Sequence, residues 1–402
     1  MAALLPVDEA LARVLSGAMP LRSEEVALAD AAGRILAQDV IAKRMQPPFP
    51  ASAMDGYAVR ATDVETVPVK LAVIGHSVAG KRFDGSVRPG EAVRIFTGAP
   101  LPDGADTILI QENAIALDGN LVEAQQSVEA GRHIRAAGLD FSAGDVVLAA
   151  GRKLDAAALS LAAAANHPTL HVIRQPLVAI IATGDELVLP GQEPSPDQII
   201  SSNSYGIAAL VRDVGGVALD LGIVPDNLDK IGESIASAVT AGADILVTLG
   251  GASVGDHDLA GPALAKQGMA PDFWKIAMRP GKPLMFGRLG STRVLGLPGN
   301  PVSSFVCAHL FLKPLVAALA GQPFMPDLRQ AILGTAMAAN DQRHDYVRAV
   351  AEYKDGHLVA TAFARQDSSM LTTLAKANAL IIRAPYAPEA AAGLPCQILM
   401  LR

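Results

Sequence analysis

Cysteine is almost absent from this 402-residue chain: Cys307 and Cys396 are the only two, far apart and outside any CxxC pair. That leaves no disulfide framework and no cysteine zinc site. Aromatic residues make up only 4%, while half the chain is hydrophobic with alanine prominent, so the core must be aliphatic. His309, Lys313 or Asp155 interrupts each of the longest apolar runs, and none reaches the roughly 18 unbroken residues of a membrane span. No basic stretch, apolar run and cleavage site open the chain, and the protein is expected in the cytoplasm. An excess of positive charge is also missing. Against 33 Lys and Arg stand 40 Asp and Glu, a net charge of −7, which argues against broad nucleic-acid binding and leaves any anionic ligand to a local basic cluster. No two glycines are separated by a single residue and no GxxxxGK[ST] occurs, which excludes the usual dinucleotide and P-loop nucleotide fingerprints.

The length suggests about three domains. Two helical patterns are expected over residues 4–40: one with Val7, Leu11, Val14 and Leu15 on a face, the other over DAAGRILAQDV with Asp30 as its cap. Pro47, Pro48 and Pro50 then introduce the loop FPASAMDGYAVR, and from Val67 to about Val128 short β-type runs are separated by Gly and Pro turns. Thr97 sits in an exposed turn of this β-rich insertion. DAAALSLAAAAN predicts a helix that resumes the first region. After Leu177 the order strand, helix, strand, helix, strand, helix predicts a doubly wound α/β domain with ligands at the carboxyl ends of its strands. A β segment follows from about Pro326, with a hairpin turn at Asp355-Gly356. The expected domains are 1–45 with 141–175 (helical and linker), 46–140 (β-rich insertion), 176–325 (α/β) and 326–402 (C-terminal β).

The loops at the carboxyl ends carry the chemistry. They read TGDE at Thr183–Glu186, VPDN around Asp226, GGASVGDHD from Gly250, RPGKP with Arg279 and Lys282, and GLPGNP at Gly296–Pro301. Glycines there let backbone N–H groups approach a ligand, and carboxylates at Asp256 and Asp258 suit a divalent cation. Arg279 and Lys282 offset oxyanion charge, and the helix opening near Val302, with Ser303 and Ser304 in its first turn, is an anion site in waiting. Ser368 and Ser369, in QDSSM, read more simply as a helix cap than as ligand contacts.

SAMDGYAVR, RIFTGAP, TGDEL, GGASVGDHD, RPGKP and GLPGNPVS, in this order over residues 52–304, resemble the molybdopterin molybdenumtransferase family, of the bacterial MoeA and gephyrin E-domain type. The resemblance implies a MoaB/MogA-like α/β domain beside the β-rich insertion, the small helical domain and the C-terminal β domain. It also implies a homodimer whose active site is shared between subunits, and a magnesium-dependent reaction that joins molybdate to adenylated molybdopterin and releases AMP. Molybdopterin adenylyltransferase and molybdoenzyme-maturation proteins are the partners it suggests, with no nucleic acid and no membrane.

Carried onto this chain, the resemblance gives Glu186, Asp226, Asp256 and Asp258 as Mg²⁺ candidates, since that ion prefers oxygen ligands. Asp55, Lys275 and Lys282 join Glu186, Asp226 and Asp258 as catalytic candidates. Substrate-binding candidates are Thr97, Asp140, Thr183, Gly184, Asn203, Gly250, Gly251, Ser253, Arg279, Pro298, Gly299, Asn300, Pro301, Ser303 and Ser368. Asp55 would come from the partner subunit. Two departures stand out: Ser201 where the family often has Asp, and Arg279 where Lys is frequent. The alternatives are a molybdopterin adenylyltransferase, which would consume ATP without molybdate, and a gephyrin-like scaffold.

Overall fold

The structure is a computed structural model that describes residues 4–250 and 259–402. Its chain forms two compact units, one of Met1–Glu24, Gly33–Ile35 and Val172–Arg402, the other of Glu25–Ala32 and Leu36–His171.

In the larger unit the alternating pattern after Leu177 gives β1 (Leu177–Thr183), α1 (Asn203–Asp213), β2 (Val217–Val224), α2 (Leu228–Thr240), β3 (Ile245–Leu249), α3 (Ala260–Lys266), β4 (Ala270–Phe273), β5 (Met285–Leu289) and β6 (Thr292–Leu297). They build one sheet in the order β2-β1-β3-β6-β5-β4, parallel from β2 to β6 and antiparallel across β5 and β4. Every residue of β3 and β6 is buried, as expected of parallel strands covered on both faces. Ile207, Leu210, Val211 and Val214 form one face toward the core, with Val178, Ile180, Val247 and Leu295. Each such side chain contributes roughly 1.5–3 kcal/mol by burial. The other sheet face packs Ile181 and Leu246 against Ile231, Ile235 and Leu264.

A helix runs from Pro301 to Leu319 with one wider π-type turn at Ala308–Leu312. Pro301 at its first position suits it, because the N–H that proline lacks has no intrahelical partner there. By length and composition this helix is apolar enough to cross a membrane, yet most of it is buried in the protein, so it is the core helix of the unit. The first helix, Val7–Leu15, packs on the same core through Val7, Ala10 and Val14. Cys307 is fully buried beside Gly281, and burial pushes its thiol far above neutral pH, which removes it as a thiolate nucleophile.

The C-terminal segment is a closed barrel. Strands His344–Lys354, His357–Ala362, Leu328–Leu333, Pro395–Met400 and Ala379–Arg383 pair in that order, and the last pairs back onto the first. Met278–Arg279 adds to the outside of His344–Lys354. The hairpin turn falls at Asp355-Gly356, both at positive φ, which is what a two-residue turn with matching twist requires.

In the smaller unit the β-rich region is a six-stranded sheet in the order Thr107–Ile110, Gly56–Val59, Glu91–Ile95, Val69–Ser77, Leu121–Ala124, Ala114–Leu117. Tyr57, Val59, Leu71 and Leu109 fill one face, and Ala58, Val93, Ile95 and Ile108 the other. Ala156–Ala164 is helical, with the Asp155 carboxylate accepting from the Ala158 N–H at 2.7 Å. One expectation fails. DAAGRILAQDV is not a helix: it follows a single 3-10 turn at Leu28–Asp30 and ends in the strand Val40–Ile41. Gly33 at φ +73° breaks any helical run there. The burial of Ala31, Ile35, Leu36 and Val40 falls at spacings that imitate a helical face.

His309 in the core helix is 6% exposed and packs against Phe305 with the rings tilted and their centroids 4.7 Å apart. Burial, with Lys313 nearby, pushes its pKa down to about 4. The unfolded chain therefore binds this proton first: the contribution to stability is intact above about pH 6.5 and is lost progressively as pH falls toward 4, by up to about 3 kcal/mol. His309→Gln is expected to flatten that part of the pH dependence, read as the denaturant midpoint at pH 7 against pH 4.5. An unchanged difference would contradict it.

Candidate active site

A cleft of about 760 Å³ opens at the carboxyl ends of β1, β3 and β6. Thr183, Gly184, Glu186, Asn203, Asp226, Gly250, Pro298, Gly299, Asn300 and Pro301 all line it, so residues spread over more than a hundred positions meet in one concavity. Asp256, Asp258, Gly251 and Ser253 lie outside the described residues.

Backbone conformation shapes the floor. Gly184 has φ +149°, and a Cβ there would stand 2.4 Å from Glu186 Oε2, so glycine is what allows the Glu186 carboxylate to fold back over the strand end. Gly250 has φ +94°, with an added Cβ 2.9 Å from the Thr183 carbonyl oxygen. Polar ties then fix the rim. The Asn203 amide donates to the Gly299 carbonyl at 2.7 Å, anchoring the start of α1 to the Pro-Gly-Asn-Pro turn. Asp185 accepts from the Asp226 N–H at 3.0 Å, so this carboxylate positions the loop while Glu186 and Asp226 line the cleft.

The helix start at Pro301 is less open to anions than its sequence suggests. The Val302 N–H donates to the Ser368 carbonyl at 3.0 Å, which occupies one of the orphan donors of the first turn. Ser303 is buried there. Ser368 thus contributes its backbone, and its neighbour Ser369 lines the cleft instead. Their loop is held by a residue that no local pattern singles out. Arg348, 1% exposed within a barrel strand, donates to Gln366 Oε1 and to the carbonyls of Asp367 and Met370.

The three basic candidates are not among the cleft-lining residues. Arg279 is ion-paired with Asp345 and stands 3.8 Å from Asp341, so this guanidinium is committed to the barrel. Lys275 and Lys282 are exposed, and their carbonyls accept from Leu5 and from Ile276 and Leu284. Pro283, next to Lys282, does reach the cleft.

In the smaller unit Asp55 and Thr97 form a pair. Asp55 Oδ1 accepts the Thr97 N–H at 2.7 Å and its hydroxyl at 2.8 Å. These bonds, backbone first, hold the carboxyl below its usual range, with a smaller effect from Arg94. Arg94 stacks over Tyr57 and Phe96 at 4.9 and 5.0 Å and donates to the Gly56 carbonyl. Gly56 is in the middle of the sheet, where a Cβ would meet the Leu109 carbonyl at 2.1 Å. Asp140 is exposed, its N–H donating to the Gln46 carbonyl.

Comparison with known proteins gives this geometry its family. Residues 5–166 match the MoeA N-terminal region (domain I and II), residues 179–318 a "Probable molybdopterin binding domain", and residues 330–401 the MoeA C-terminal region (domain IV). A molybdopterin molybdenumtransferase of Haemophilus influenzae is 34% identical over 94% of both chains. The chain belongs to the MoeA family of molybdopterin molybdenumtransferases. A Bacillus subtilis relative of the same name is also 34% identical, covering 99% of this chain and 94% of its own. The crystal structure of a Pyrococcus molybdopterin biosynthesis MoeA protein superposes with a TM-score of 0.84 at 27% identity, over 100% of both chains. The chain is thus a transferase of molybdenum cofactor biosynthesis.

Two measurements probe these contacts. Thr97→Val keeps the backbone donor and removes the hydroxyl, so the Asp55 pKa should rise yet stay below that of a free aspartate, read by carbon NMR titration of the carboxyl. Gly250→Ala should cost on the order of 1–3 kcal/mol from strain at positive φ, measured by denaturant unfolding, and should lower transferase activity with it.

Proposed function

We propose that the cleft joins molybdate to adenylated molybdopterin with release of AMP, in a magnesium-dependent step. The observation that carries this is the placement of Glu186 and Asp226 in one cleft with the Gly250 and Pro298–Pro301 backbone, in a chain of this family. Among the described residues that line the cleft there is no histidine or cysteine, and the donors present are carboxylate, hydroxyl, amide and backbone oxygens, which fit Mg²⁺ better than a thiophilic metal. Glu186 and Asp226 would hold the ion. Bound there, it would offset negative charge on the diphosphate link.

The rest falls to the protein. The glycine-lined floor at Gly184 and Gly250 admits the diphosphate close to the backbone, and the turn at Pro298–Asn300 orients it beneath the start of the core helix. Asn203, through its hold on the Gly299 carbonyl, keeps that turn in place. Ser369, on the loop braced by Arg348, supplies a hydroxyl that suits a tetrahedral oxyanion. Lys275 and Lys282 provide positive charge from the exposed surface.

The same reading includes a cytoplasmic homodimer in which Asp55 and Thr97 of a second copy complete the cleft. Asp55, held as a carboxylate by Thr97, would orient an attacking water by accepting its hydrogen bond.

Glu186→Gln and Asp226→Asn are each expected to lower AMP release from adenylated molybdopterin by at least about tenfold to a hundredfold, with the loss partly recovered at raised Mg²⁺. Turnover equal to the parent in both variants would sink the assignment. Sharing between subunits has its own test. Asp55→Asn and Asp226→Asn chains, each strongly impaired alone, should together rise to about a quarter of parental activity when co-expressed, because half the dimers then carry one intact site. No recovery would place Asp55 outside the site.

A further inference from the structure

At the amino ends of the same parallel strands, opposite the cleft, lies a second cavity of about 420 Å³ lined by Gly17, Asp244, Gly290, Ser291, Thr292 and Arg293 among others. Its chemistry is unbalanced. Arg293 is only 5% exposed. Arg288 is its directly opposed partner across the β5–β6 hairpin, an arrangement that is destabilising for like charges. Both guanidinium groups converge on one acceptor, the Ser16 carbonyl, at 2.7 Å from Arg288 and 3.0 Å from Arg293. Arg293 Nε has no hydrogen-bond partner, and among the described residues neither arginine makes an ion pair.

A plain structural role accounts for part of this. Ser16 terminates the helix Val7–Leu15, and cations are favourable at a helix C-terminus. That end supplies only about half a negative charge against two full positive ones. A buried cation without a counter-charge is costly, and one orphan N–H is left over. Asp244 does not supply the balance: its Oδ1 accepts from Arg174 at 2.6 Å and its Oδ2 from the Leu177 N–H at 2.8 Å. Burial and the proximity of Arg288 both act to lower the Arg293 pKa, the direction expected of a cation awaiting a partner. Gly17 leaves the space beside both guanidinium groups unfilled, because a Cβ there would lie in van der Waals contact with the two Nη2 atoms, at 3.9 and 4.0 Å.

We propose that a small tetrahedral dianion, of the molybdate, sulfate or phosphate type, binds at the edge of this cavity between Arg293, which lines it, and Arg288, which meets Arg293 at the Ser16 carbonyl beside it. Two planar forks with parallel donors match such an ion, and guanidinium tolerates burial better than ammonium. The proposal does not depend on the reaction assigned to the cleft.

The test is calorimetric titration of the full-length protein with molybdate, sulfate and phosphate in turn, at constant ionic strength with chloride as the control. It uses the parent, Asp226→Asn, Arg288→Gln, Arg293→Gln and Arg293→Lys. A saturable site is expected that survives Asp226→Asn and weakens at least about tenfold in Arg288→Gln and Arg293→Gln, with a smaller loss in Arg293→Lys. AMP release should be unchanged in Arg288→Gln, and the order of affinities identifies which of the three ions the site prefers. Arg288 is exposed, so its variant decides the matter if Arg293→Gln fails to fold. Parental affinity in Arg288→Gln, or equal heats with chloride, would overturn the proposal. So would the absence of any saturable binding in the parent together with an altered oligomeric mass in Arg288→Gln, which would assign the arginines to a protein carboxylate on another copy.

Discussion

Burial of the parallel strands on both faces is the constraint on which the rest of the larger unit depends. β1, β3 and β6 present no surface on which a polar group could sit without losing its hydration, so charge and hydrogen-bonding capacity are driven to the two ends of the strands. At the carboxyl end the loops are built of glycine, proline, carboxylate and amide, and they form the cleft. At the amino end the turns are tighter, and the polar residues there are chiefly arginines and Asp244. The division of labour between the two ends follows from the middle being closed to both.

A second dependence runs through the backbone of the core helix. Its first turn would be a generic anion trap if all its N–H groups were open, but Ser368 takes the Val302 donor. The barrel thereby enters the cleft, and Arg348 sets where it enters. Among the described residues the buried arginine donates to a side-chain amide oxygen and two carbonyls, with the Asp367 carboxylate close enough to favour its charge. Its bonds therefore hold the loop's backbone directly, and no exposed ion pair, which salt would screen, is interposed.

Much of this was legible in the sequence where short-range patterns decide structure. The helix Asn203–Asp213 followed from the spacing of Ile207, Leu210, Val211 and Val214, and the strand Ile245–Leu249 from an unbroken aliphatic run. The polar loops at the strand ends were legible for the same reason. What was hidden depends on long-range pairing. Asp55 and Thr97 are 42 positions apart, and nothing local marks them as partners. Arg348 reads as one polar position in an alternating strand, and its burial appears only once the 366–370 loop lies over it. Arg279 looks like an oxyanion donor from RPGKP until Asp345 is brought beside it. Barrel closure, too, rests on a pairing between His344–Lys354 and Ala379–Arg383 that periodicity does not reveal. DAAGRILAQDV shows the converse: a helical spacing of apolar residues overridden by a glycine and by the strand that follows.

Closure of the barrel sets an order on how the protein is made. Strand Pro395–Met400 lies between Leu328–Leu333 and Ala379–Arg383 and pairs with both, so the ring cannot close until that strand has left the ribosome. The loop carrying Ser368 and Ser369 belongs to this ring. Domains made earlier fold earlier during synthesis, and the α/β sheet can be complete while the cleft still lacks one wall. A nascent chain therefore carries Glu186 and Asp226 before it carries the loop of Ser369 that lines the cleft beside them, and the barrel strand that closes the ring is made later still.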